Sequence, residues 1–428
     1  MFYYIDTFGC QMNVHDSQGL EGLLAMGGYQ KTESVEQADV VVFNTCCVRQ
    51  SAENRIYGNI GALKILKKQK PEMILCVVGC MASKTGTIAK IQKSYPFVDI
   101  VLGTGGLGRL LECINFVKQG QKVYDNSVES RVQEDYYLRE NGVSAYVSII
   151  QGCDKFCTYC IVPYVRGRES SRPFEDIVQE CSNLLQKGYK EITLLGQNVN
   201  SYRDQTNDFA DLLRALDALP FHFILKYMTS HPIDFGDKMI DTIAESKNIS
   251  HSVHLPVQAG ADRILQLMNR KYTKEHYLSS VKRLRHKVPD ISITTDIMVG
   301  FPTETHEEFL DTLDVVRQVQ FSNIFSFVFS PREGTPAAKM EGKIDLPTKR
   351  ERIKTLIQEQ EIIATNIAKQ AVGKTMECLC TQSGEKTLAK TRDDRVVMLP
   401  AHAMQMGEFA QVKIVDTKNS SLIGQLVK

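Results

Sequence analysis

The chain has 428 residues, of which 43% are hydrophobic and 24% charged, so it is long enough for two to four domains with separate apolar cores. Residues 1–6 show no basic region followed by an apolar stretch, and no apolar run could span a bilayer, so we expect a soluble, cytoplasmic protein. The net charge of +1 neither favours nor excludes a nucleic-acid partner. Twelve cysteines in a reducing compartment are not expected to form disulfide bonds, so those that cluster indicate metal binding or catalysis.

The first part of the chain alternates between β-rich and helix-length segments, which is typical of an open parallel α/β sheet. A cysteine follows each predicted strand, at Cys10, Cys46 and Cys80. Because the carboxyl ends of parallel strands meet at one edge, these thiolates are predicted to hold one iron–sulfur cluster with an open iron. The alternative is three separate buried thiols. The predicted strands are 2–6, 38–44 and 73–78, and the predicted helices are 17–26 and 52–68.

A second group of cysteines lies in one short segment, Gln-Gly-Cys-Asp-Lys-Phe-Cys-Thr-Tyr-Cys, which contains Cys153, Cys157 and Cys160. A zinc site would need a fourth ligand nearby, whereas a cubane cluster held by three cysteines leaves one iron free to bind another molecule. The spacing therefore predicts an iron–sulfur cluster with one exchangeable position. The alternative is a structural zinc loop or chance clustering of cysteines.

From about residue 144 the pattern of strands and helices becomes regular. Six strand–helix units in series predict a parallel, barrel-like sheet that stays open, because eight units are needed for closure. Gln197, His231, Gln258 and Arg332 follow these strands, at the rim where such folds place their chemistry. The predicted strands are 145–150, 191–195, 223–228, 252–255, 292–299 and 323–329, and the predicted helices are 174–186, 209–219, 237–245, 274–287 and 307–319.

The last part of the chain follows a long polar helix, predicted over 348–371. Five short β-rich runs separated by turn residues then predict a small barrel. Residues 373–428 contain eight Lys and Arg against six Asp and Glu, which is a weak electrostatic signal for RNA binding. The predicted strands are 375–380, 388–391, 396–399, 409–415 and 422–426.

Further motifs accompany the cysteines: Thr7-Phe8-Gly9-Cys10-Gln11-Met12-Asn13, Asn44-Thr45-Cys46, Gly79-Cys80-Met81-Ala82, Ile161-Val162-Pro163-Tyr164-Val165-Arg166-Gly167-Arg168-Glu169-Ser170-Ser171-Arg172 and Ser330-Pro331-Arg332-Glu333-Gly334-Thr335-Pro336. Over essentially its whole length the chain resembles the radical S-adenosylmethionine (SAM) methylthiotransferases. The resemblance implies an α/β protein with an N-terminal open parallel sheet, a partial (βα)6 radical SAM barrel and a small C-terminal, oligonucleotide-binding-like TRAM barrel. The implied domains are 1–120 with the auxiliary cluster, a linker at 121–142, the radical SAM barrel at 143–371 and the TRAM RNA-binding domain at 372–428.

The same resemblance implies methylthiolation of carbon 2 of N6-dimethylallyladenosine, next to the anticodon of tRNA. Two [4Fe-4S] clusters are implied, with an added sulfide on the one held by Cys10, Cys46 and Cys80. One SAM would serve as methyl donor and another, at the Cys153 cluster, as radical source. The residues after Cys10 favour this substrate over threonylcarbamoyladenosine in tRNA or an aspartate of a ribosomal protein. A flavodoxin- or ferredoxin-type electron donor and a monomeric enzyme are also implied.

The resemblance further implies which side chains contact the ligands. Turn formation with helix-capping residues is the alternative for residues 300–305. Arg166, Arg168 and Arg172 are expected to bind phosphates of the anticodon loop together with Arg332, although a solvated basic loop is an equal alternative for the first three. The expected SAM contacts are Tyr159, Gln197, Ser230, His231, Gln258, Asp296, Gly300, Phe301, Pro302 and Thr303.

Two other functional classes fit the residues. One is a radical SAM enzyme whose upstream cluster only relays electrons, so that no sulfur is transferred. The other is an iron–sulfur RNA-binding sensor without catalysis. SAM cleavage separates the sensor from both enzymes, and a methylthiolated nucleoside separates the two enzymes from each other.

Overall fold

The structure is a computed structural model that describes residues 1–47, 50–128, 137–139 and 142–427. The chain divides into two compact units. The first unit comprises the described residues of 1–140 together with 150–156 and 160–170, and the second comprises those of 141–149, 157–159 and 171–428.

The first unit contains a six-stranded parallel sheet with the strand order β2-β1-β3-β4-β5-β6. Every residue of β3 and β4 is buried, as expected for central parallel strands covered on both faces. This sheet confirms the predicted open parallel α/β fold. The strands are β1 Phe2–Thr7, β2 Gln30–Lys31, β3 Val40–Thr45, β4 Ile74–Gly79, β5 Ile100–Leu102 and β6 Val123–Asp125.

Alternate residues of the central strands build two cores. Val41 and Val77 join the apolar cluster on one face, whereas Val42 and Val78 join the cluster on the other. The first helix begins at Gln11, six residues earlier than predicted, and the predicted helix 52–68 is divided into two. The helices up to residue 118 are α1 Gln11–Met26, α2 Gln50–Ala62, α3 Lys64–Gln69, α4 Cys80–Ser83, α5 Thr87–Ser94 and α6 Leu110–Lys118.

The second unit contains the predicted open barrel. Its strands form two parallel sheets, β7-β10-β13 and β14-β15-β16, which an isolated parallel bridge between Leu225 and Ile249 links in series. The six barrel strands lie where the sequence predicts them. In chain order, the strands from 144 to 328 are β7 Ser144–Ser148, β8 Ile150–Gln151, β9 Ser170–Ser171, β10 Glu191–Leu195, β11 Arg203–Asp204, β12 Asn207–Asp208, β13 Ile224–Tyr227, β14 Ser252–His254, β15 Ser292–Val299 and β16 Asn323–Val328.

Helices alternate with these strands along the chain. Three predicted helices, 174–186, 237–245 and 274–287, coincide with observed ones at both ends, whereas the short helix at Asp262–Leu267 is not predicted. The helices from residue 162 onward are α7 Val162–Arg166, α8 Phe174–Gln186, α9 Phe209–Asp217, α10 Asp237–Glu245, α11 Asp262–Leu267, α12 Lys274–Lys287, α13 His306–Val319 and α14 Leu346–Lys369.

The C-terminal strands form a closed barrel in the order β17-β18-β19-β21-β20, which confirms the predicted small barrel. Cys378 and Cys380 lie inside its apolar core. Arg392 connects this barrel to the open one, because its guanidinium donates to the carbonyl oxygens of Ser246 and Ile249. The strands are β17 Thr375–Gln382, β18 Thr387–Thr391, β19 Val396–Leu399, β20 Phe409–Lys418 and β21 Ser421–Leu426.

The linker predicted at 121–142 falls partly outside the described residues, which exclude 129–136, 140 and 141. Within it, Val123–Asp125 pairs with β5, so the first sheet continues past residue 120. The domain boundaries otherwise stay a prediction. Among the described residues, no helix combines the length and the apolar character needed to cross a membrane.

Candidate functional site

Three cysteines come to one edge of the first sheet. Cys10 follows β1, Cys46 follows β3 and Cys80 follows β4. These strands are adjacent and parallel, with Thr7 opposite Asn44 and Thr45 opposite Gly79. The carboxyl ends of the three strands therefore deliver the cysteines to the same edge.

Two glycines allow the chain to pass close to Cys46. Gly9 has φ +138°, and a Cβ on it would lie 2.7 Å from the Cβ of Cys46. Gly79 has φ +93°, and a Cβ there would lie 2.8 Å from the carbonyl oxygen of Thr45. A larger residue is excluded at both positions by space as well as by backbone conformation. The glycines next to Cys10 and Cys80 thus create the close approach.

Buried amides fix the segment that carries Cys10. The Nδ2 group of Asn13 donates to Oδ1 of Asn44 at 3.2 Å, and Nδ2 of Asn44 donates to the carbonyl oxygen of Asn13 at 2.8 Å. Oδ1 of Asn13 accepts the backbone N–H of Cys10 at 3.3 Å. Both amides are fully buried, so these bonds are shielded from water. Sequence reasoning quoted both asparagines as part of motifs but gave them no role.

The environment of the three thiols is uneven. Cys10 is exposed, whereas Cys46 and Cys80 are buried. Burial raises the pKa of the Cys80 thiol, and the guanidinium of Arg166 offsets part of this rise. Nε of Arg166 donates to Sγ of Cys80 at 3.2 Å, while its Nη2 pairs with Oδ2 of Asp16 at 2.7 Å.

The neighbouring Cys47 is more deeply buried than Cys10, Cys46 and Cys80. Its side chain is 1% exposed and packs in the apolar core cluster with Ile56 and Met73. Burial raises the pKa of its thiol strongly. Cys47 therefore has the environment of a core residue.

The donor set at this edge consists of three thiols, which are the usual ligands of iron–sulfur clusters. Among the described residues, no three His, Cys, Asp or Glu side chains form a group that could bind one metal ion. In a cubane each thiolate binds a different iron, so the sulfur atoms need not lie as close together as ligands of one ion. Soft thiolates without imidazole or carboxylate partners also select iron–sulfur clusters among the common metal centres.

The loop with the second cysteine group is anchored at several points. Gly152 has φ +80°, and the N–H of Cys153 donates to the carbonyl oxygen of Gly167 at 3.2 Å. In the middle of the loop, Oγ1 of Thr158 donates to the carbonyl oxygen of Leu267 at 2.8 Å. Cys153 and Cys160 are half-buried, whereas Cys157 is buried. Cys153 and Cys160 belong to the first unit and Cys157 to the second.

A buried arginine contacts Cys157. Nη1 of Arg270 donates to Sγ of Cys157 at 3.4 Å, and its Nη2 donates to the carbonyl oxygen of Pro256 at 2.8 Å. Its Nε donates to the hydroxyl of Tyr272 at 2.9 Å, and that hydroxyl donates in turn to the carbonyl oxygen of Val257 at 3.0 Å. Sequence reasoning missed Arg270 and Tyr272, because neither belongs to a recognisable motif or follows a strand.

The rim of the open barrel holds several of the predicted SAM contacts. Ser230 and His231 follow β13 and are buried, whereas Tyr159 and Gln197 are half-buried. Among the described residues, Oγ of Ser230 has no hydrogen-bond partner. A buried hydroxyl without a partner is costly, so this position suits a polar ligand group. Nδ1 of His231 accepts the N–H of Ile233 at 3.3 Å, which is a structural, helix-capping role.

Left-handed backbone recurs in the loops at this rim. Thr229, Gln258 and Thr303 have φ between +65° and +69° although none is glycine. Such conformations are costly and cluster at ligand sites. Gln258 is held in place because its N–H donates to the carbonyl oxygen of Asp296 and its carbonyl accepts the N–H of Met298, both at 2.9 Å.

In the segment after β15, residues 300–303, buried and exposed side chains follow one another directly. Gly300 has φ +72°, and its N–H donates to Oε2 of Glu304 at 2.7 Å. Phe301 is fully buried against Phe329, so only its backbone is available to a ligand, and Pro302 is buried as well. The exposed Thr303 accepts Nη1 of Arg263 at 3.1 Å.

Asp296 lies on β15 beside a histidine that sequence reasoning missed. Nε2 of His254 lies 3.5 Å from Oδ2 of Asp296, and Nδ1 of His254 lies 2.9 Å from Oγ1 of Thr294. The side chains of both His254 and Asp296 are partly exposed. His254 lies on the adjacent strand β14 opposite Thr294, and its proximity to Asp296 is visible only once the strand pairing is known.

Two of the four arginines expected to bind phosphate are buried, and phosphate binding by the four stays a prediction. Arg166 is 4% exposed and bonded to Asp16 and Cys80. Arg172 is 9% exposed, and its Nη1 bonds to the carbonyl oxygen of Ser148. Arg168 is exposed beside Asp154, and Arg332 is half-buried. The sequence shows that these arginines are close together, but it does not show which of their side chains face solvent.

Three family profiles match successive parts of the chain. Residues 2–103 match the profile described as "Uncharacterized protein family UPF0004", residues 147–316 match the Radical SAM superfamily and residues 369–427 match the TRAM domain. A tRNA-2-methylthio-N(6)-dimethylallyladenosine synthase of Acetivibrio thermocellus is 43% identical, over 100% of this chain and 91% of that protein. The synthase of the same name from Thermoanaerobacter pseudethanolicus is 44% identical, over 100% and 93%.

Solved structures show the fold at much lower identity. The radical S-adenosylmethionine methyltransferase TsrM from Kitasatospora setae superposes with a TM-score of 0.59 at 14% identity, over 79% of this chain and 75% of that chain. The cobalamin-dependent S-adenosylmethionine radical enzyme OxsB superposes with a TM-score of 0.55 at 11% identity, over 85% and 56%. At these identities the likeness concerns architecture alone.

Proposed function

Because the chain belongs to the radical SAM family of tRNA-2-methylthio-N(6)-dimethylallyladenosine synthases, we propose that it methylthiolates carbon 2 of N6-dimethylallyladenosine next to the anticodon of tRNA. The observation that carries the proposal is the similarity over the full chain, which includes both cysteine groups and the C-terminal barrel. Other radical SAM enzymes share the fold but not this full-length similarity.

Each cysteine group holds one [4Fe-4S] cluster in this proposal. Cys10, Cys46 and Cys80 hold an auxiliary cluster with an added sulfide, while Cys153, Cys157 and Cys160 hold the cluster that binds SAM. When bound, the clusters and two SAM molecules supply a methylated sulfur and the one-electron cleavage of a carbon–sulfur bond. Three thiolates in each group support this assignment, since an exchangeable iron requires a missing protein ligand.

The residues of the barrel rim orient SAM and the target base. Oγ of Ser230 provides a buried hydroxyl for a polar group of the ligand, and residues 300–303 follow β15 at the same rim. Tyr159, Gln197 and Gln258 lie in the loops at the carboxyl ends of the barrel strands. Asp296, with His254 at 3.5 Å, offers hydrogen-bonding groups on the inner strands.

The partners follow from the same assignment. Arg168 and Arg332 contact phosphates of the RNA in this proposal, and the C-terminal barrel provides the RNA-binding module. A flavodoxin- or ferredoxin-type protein supplies electrons, and the enzyme acts as a monomer.

The test is nucleoside analysis after an anaerobic reaction. Protein reconstituted with iron and sulfide is incubated with SAM, a reductant and tRNA that carries the prenylated adenosine. Mass spectrometry should detect the 2-methylthio nucleoside together with 5′-deoxyadenosine. 5′-Deoxyadenosine without the methylthio product would favour an electron-relay enzyme, and the absence of both would favour an iron–sulfur sensor. Threonylcarbamoylated tRNA and ribosomal protein serve as alternative substrates, and a product from either instead would reassign the enzyme.

A further inference from the structure

Arg166 occupies an unusual position for a residue in a basic segment. It is the last residue of α7, yet its side chain is only 4% exposed. Its Nε lies 3.2 Å from Sγ of Cys80, and its Nη2 lies 2.7 Å from Oδ2 of Asp16, which is on α1. Two different nitrogen atoms of one guanidinium therefore connect a carboxylate to a cysteine sulfur, and all three residues belong to the first unit.

Burying a guanidinium is costly, so this arrangement calls for a reason. A buried ion pair is often no more stabilising than an apolar replacement, because desolvation offsets the attraction. Surface arginines elsewhere in the first unit, such as Arg109 beside Asp125, avoid that cost. The specific feature at Arg166 is the bond to sulfur. A thiolate, the form of cysteine that binds iron, accepts a charged N–H donor much better than a neutral thiol does.

Hydrogen bonds and nearby charge are the means by which a protein tunes an iron–sulfur cluster. Donors to the ligand sulfur and positive charge stabilise the reduced cluster, which carries one more negative charge, and so raise its reduction potential. The fixed geometry matters as well, because Asp16 holds the guanidinium plane while leaving Nε directed at Cys80.

We propose that Arg166, held by Asp16, is a positioning residue that donates a hydrogen bond to the Cys80 sulfur and raises the reduction potential of the cluster at Cys10, Cys46 and Cys80. The inference rests on the proposed function in one respect, namely that these three cysteines hold a cluster. It replaces the phosphate contact expected for Arg166 with a role toward the cluster itself.

Neutralising Arg166 and neutralising Asp16 should shift the reduction potential of the cluster in opposite directions. Arg166→Gln removes a cation near the cluster and should lower its potential, whereas Asp16→Asn removes the compensating anion and should raise it. Loss of local structure would instead expose the cluster to water in both variants and shift both potentials in the same direction. The double variant Arg166→Gln/Asp16→Asn leaves no unpaired buried charge and should fall between the two.

The experiment isolates this cluster in the full-length chain. Cys153, Cys157 and Cys160 are replaced by Ala, and the protein is reconstituted anaerobically with iron and sulfide. Iron content is measured, and the potential is obtained from a redox titration followed by electron paramagnetic resonance. We expect Arg166→Gln to shift the one-electron equilibrium at least tenfold toward the oxidised state, which corresponds to about 59 mV. Asp16→Asn should shift it in the opposite direction.

Two further variants serve as comparisons. Arg109→Gln breaks an exposed arginine–aspartate pair in the same unit and should leave the potential unchanged. Arg166→Lys keeps the charge without the planar fork, so it should recover part of the potential lost in Arg166→Gln. Normal iron content with unchanged potentials, or with shifts of the same sign in Arg166→Gln and Asp16→Asn, overturns the inference. If the protein with Arg166 and Asp16 intact binds no iron in this background, the cluster assignment itself is wrong, which distinguishes the two failures.

Discussion

The two cysteine groups are assembled in opposite ways. Cys10, Cys46 and Cys80 are far apart in the sequence and meet because three parallel strands end at one edge, whereas Cys153, Cys157 and Cys160 share one loop. The first group therefore depends on the register of a whole sheet. The second depends on a few hydrogen bonds that anchor one segment of the chain.

Both groups nevertheless place a buried arginine on one sulfur. Arg166 bonds to Cys80 and Arg270 to Cys157. The difference lies in how the charge is balanced, because Arg166 pairs with the carboxylate of Asp16, whereas Arg270 has only neutral partners and a thiol among the described residues. An arginine without a carboxylate partner suits a site whose occupant brings its own negative charge. We therefore expect the two groups to respond differently to matched changes.

The largest expected effect comes from removing each group entirely. Replacing Cys153, Cys157 and Cys160 by Ala should abolish 5′-deoxyadenosine formation, whereas replacing Cys10, Cys46 and Cys80 should preserve it and abolish only the methylthio nucleoside. Each triple variant should retain about half of the iron if each group holds one cubane. Cys181→Ala, at a buried cysteine outside both groups, is the control and should keep all the iron. A methylthio product from the Cys10 group variant would contradict the division of roles.

The next effect tests the dependence of the first group on close backbone approach. In Gly79→Ala the added Cβ would lie 2.6 Å from Oδ1 of Asn44 in a backbone with φ +93°. Strain and crowding together should cost about 2–5 kcal/mol of unfolding free energy and lower the iron content at this edge. Denaturant unfolding and iron analysis measure both quantities.

Gly86→Ala is the matched control for this substitution. Gly86 has φ +83°, but no atom lies within 4 Å of its added Cβ, so the variant should lose only about 1–2 kcal/mol from backbone strain. Its iron content should be unchanged. Equal losses of iron in the two variants would show that strain, rather than crowding against β3, controls the edge.

A smaller effect is expected where Arg270 supports the second group. Arg270→Lys keeps the cation but cannot bond at once to Cys157, Tyr272 and Pro256, so it should destabilise the protein by about 2–3 kcal/mol and slow SAM cleavage. Arg172→Lys, at a buried arginine that pairs with Glu180, should lose similar stability without slowing cleavage. Equal rates of 5′-deoxyadenosine formation in the two variants would show that Arg270 contributes to stability but not to SAM cleavage.

Much of the fold could be predicted from the sequence, because local pattern and tertiary environment agree. The runs that form β3 and β4 are apolar at nearly every position, as central parallel strands require. The three-residue strands β5 and β6 were missed, because runs so short are defined only by their neighbours in the sheet. The start of α1 at Gln11 was also missed, since its capping residue is Cys10, which is not a usual capping residue.

The site was predictable only where its residues form motifs. The cysteines were found from spacing and from their positions after strands, and their role as ligands stays a prediction. The environment of Arg166 was not predictable, because its partners Cys80 and Asp16 lie 86 and 150 residues away in the sequence. Arg270 and His254 were missed for the same reason, since their importance arises from neighbours across the fold.

The smallest effect is expected from removing only the hydroxyl of Tyr272, which accepts a hydrogen bond from the guanidinium of Arg270. Tyr272→Phe leaves Arg270 and its charge in place but removes the acceptor of its Nε, so the unfolding free energy should fall by about 1–2 kcal/mol. Tyr277→Phe is matched closely, because Tyr277 is also buried and its hydroxyl donates to the carbonyl oxygen of Leu255 rather than contacting Arg270. Both variants should lose comparable stability in denaturant unfolding. Only Tyr272→Phe should slow 5′-deoxyadenosine formation, because only there does the arginine on Cys157 lose a bond that orients it. Equal rates in the two variants would mean that Arg270 is placed by Pro256 and the surrounding packing alone, and the likeness between Arg166 and Arg270 would then be limited to their contact with sulfur.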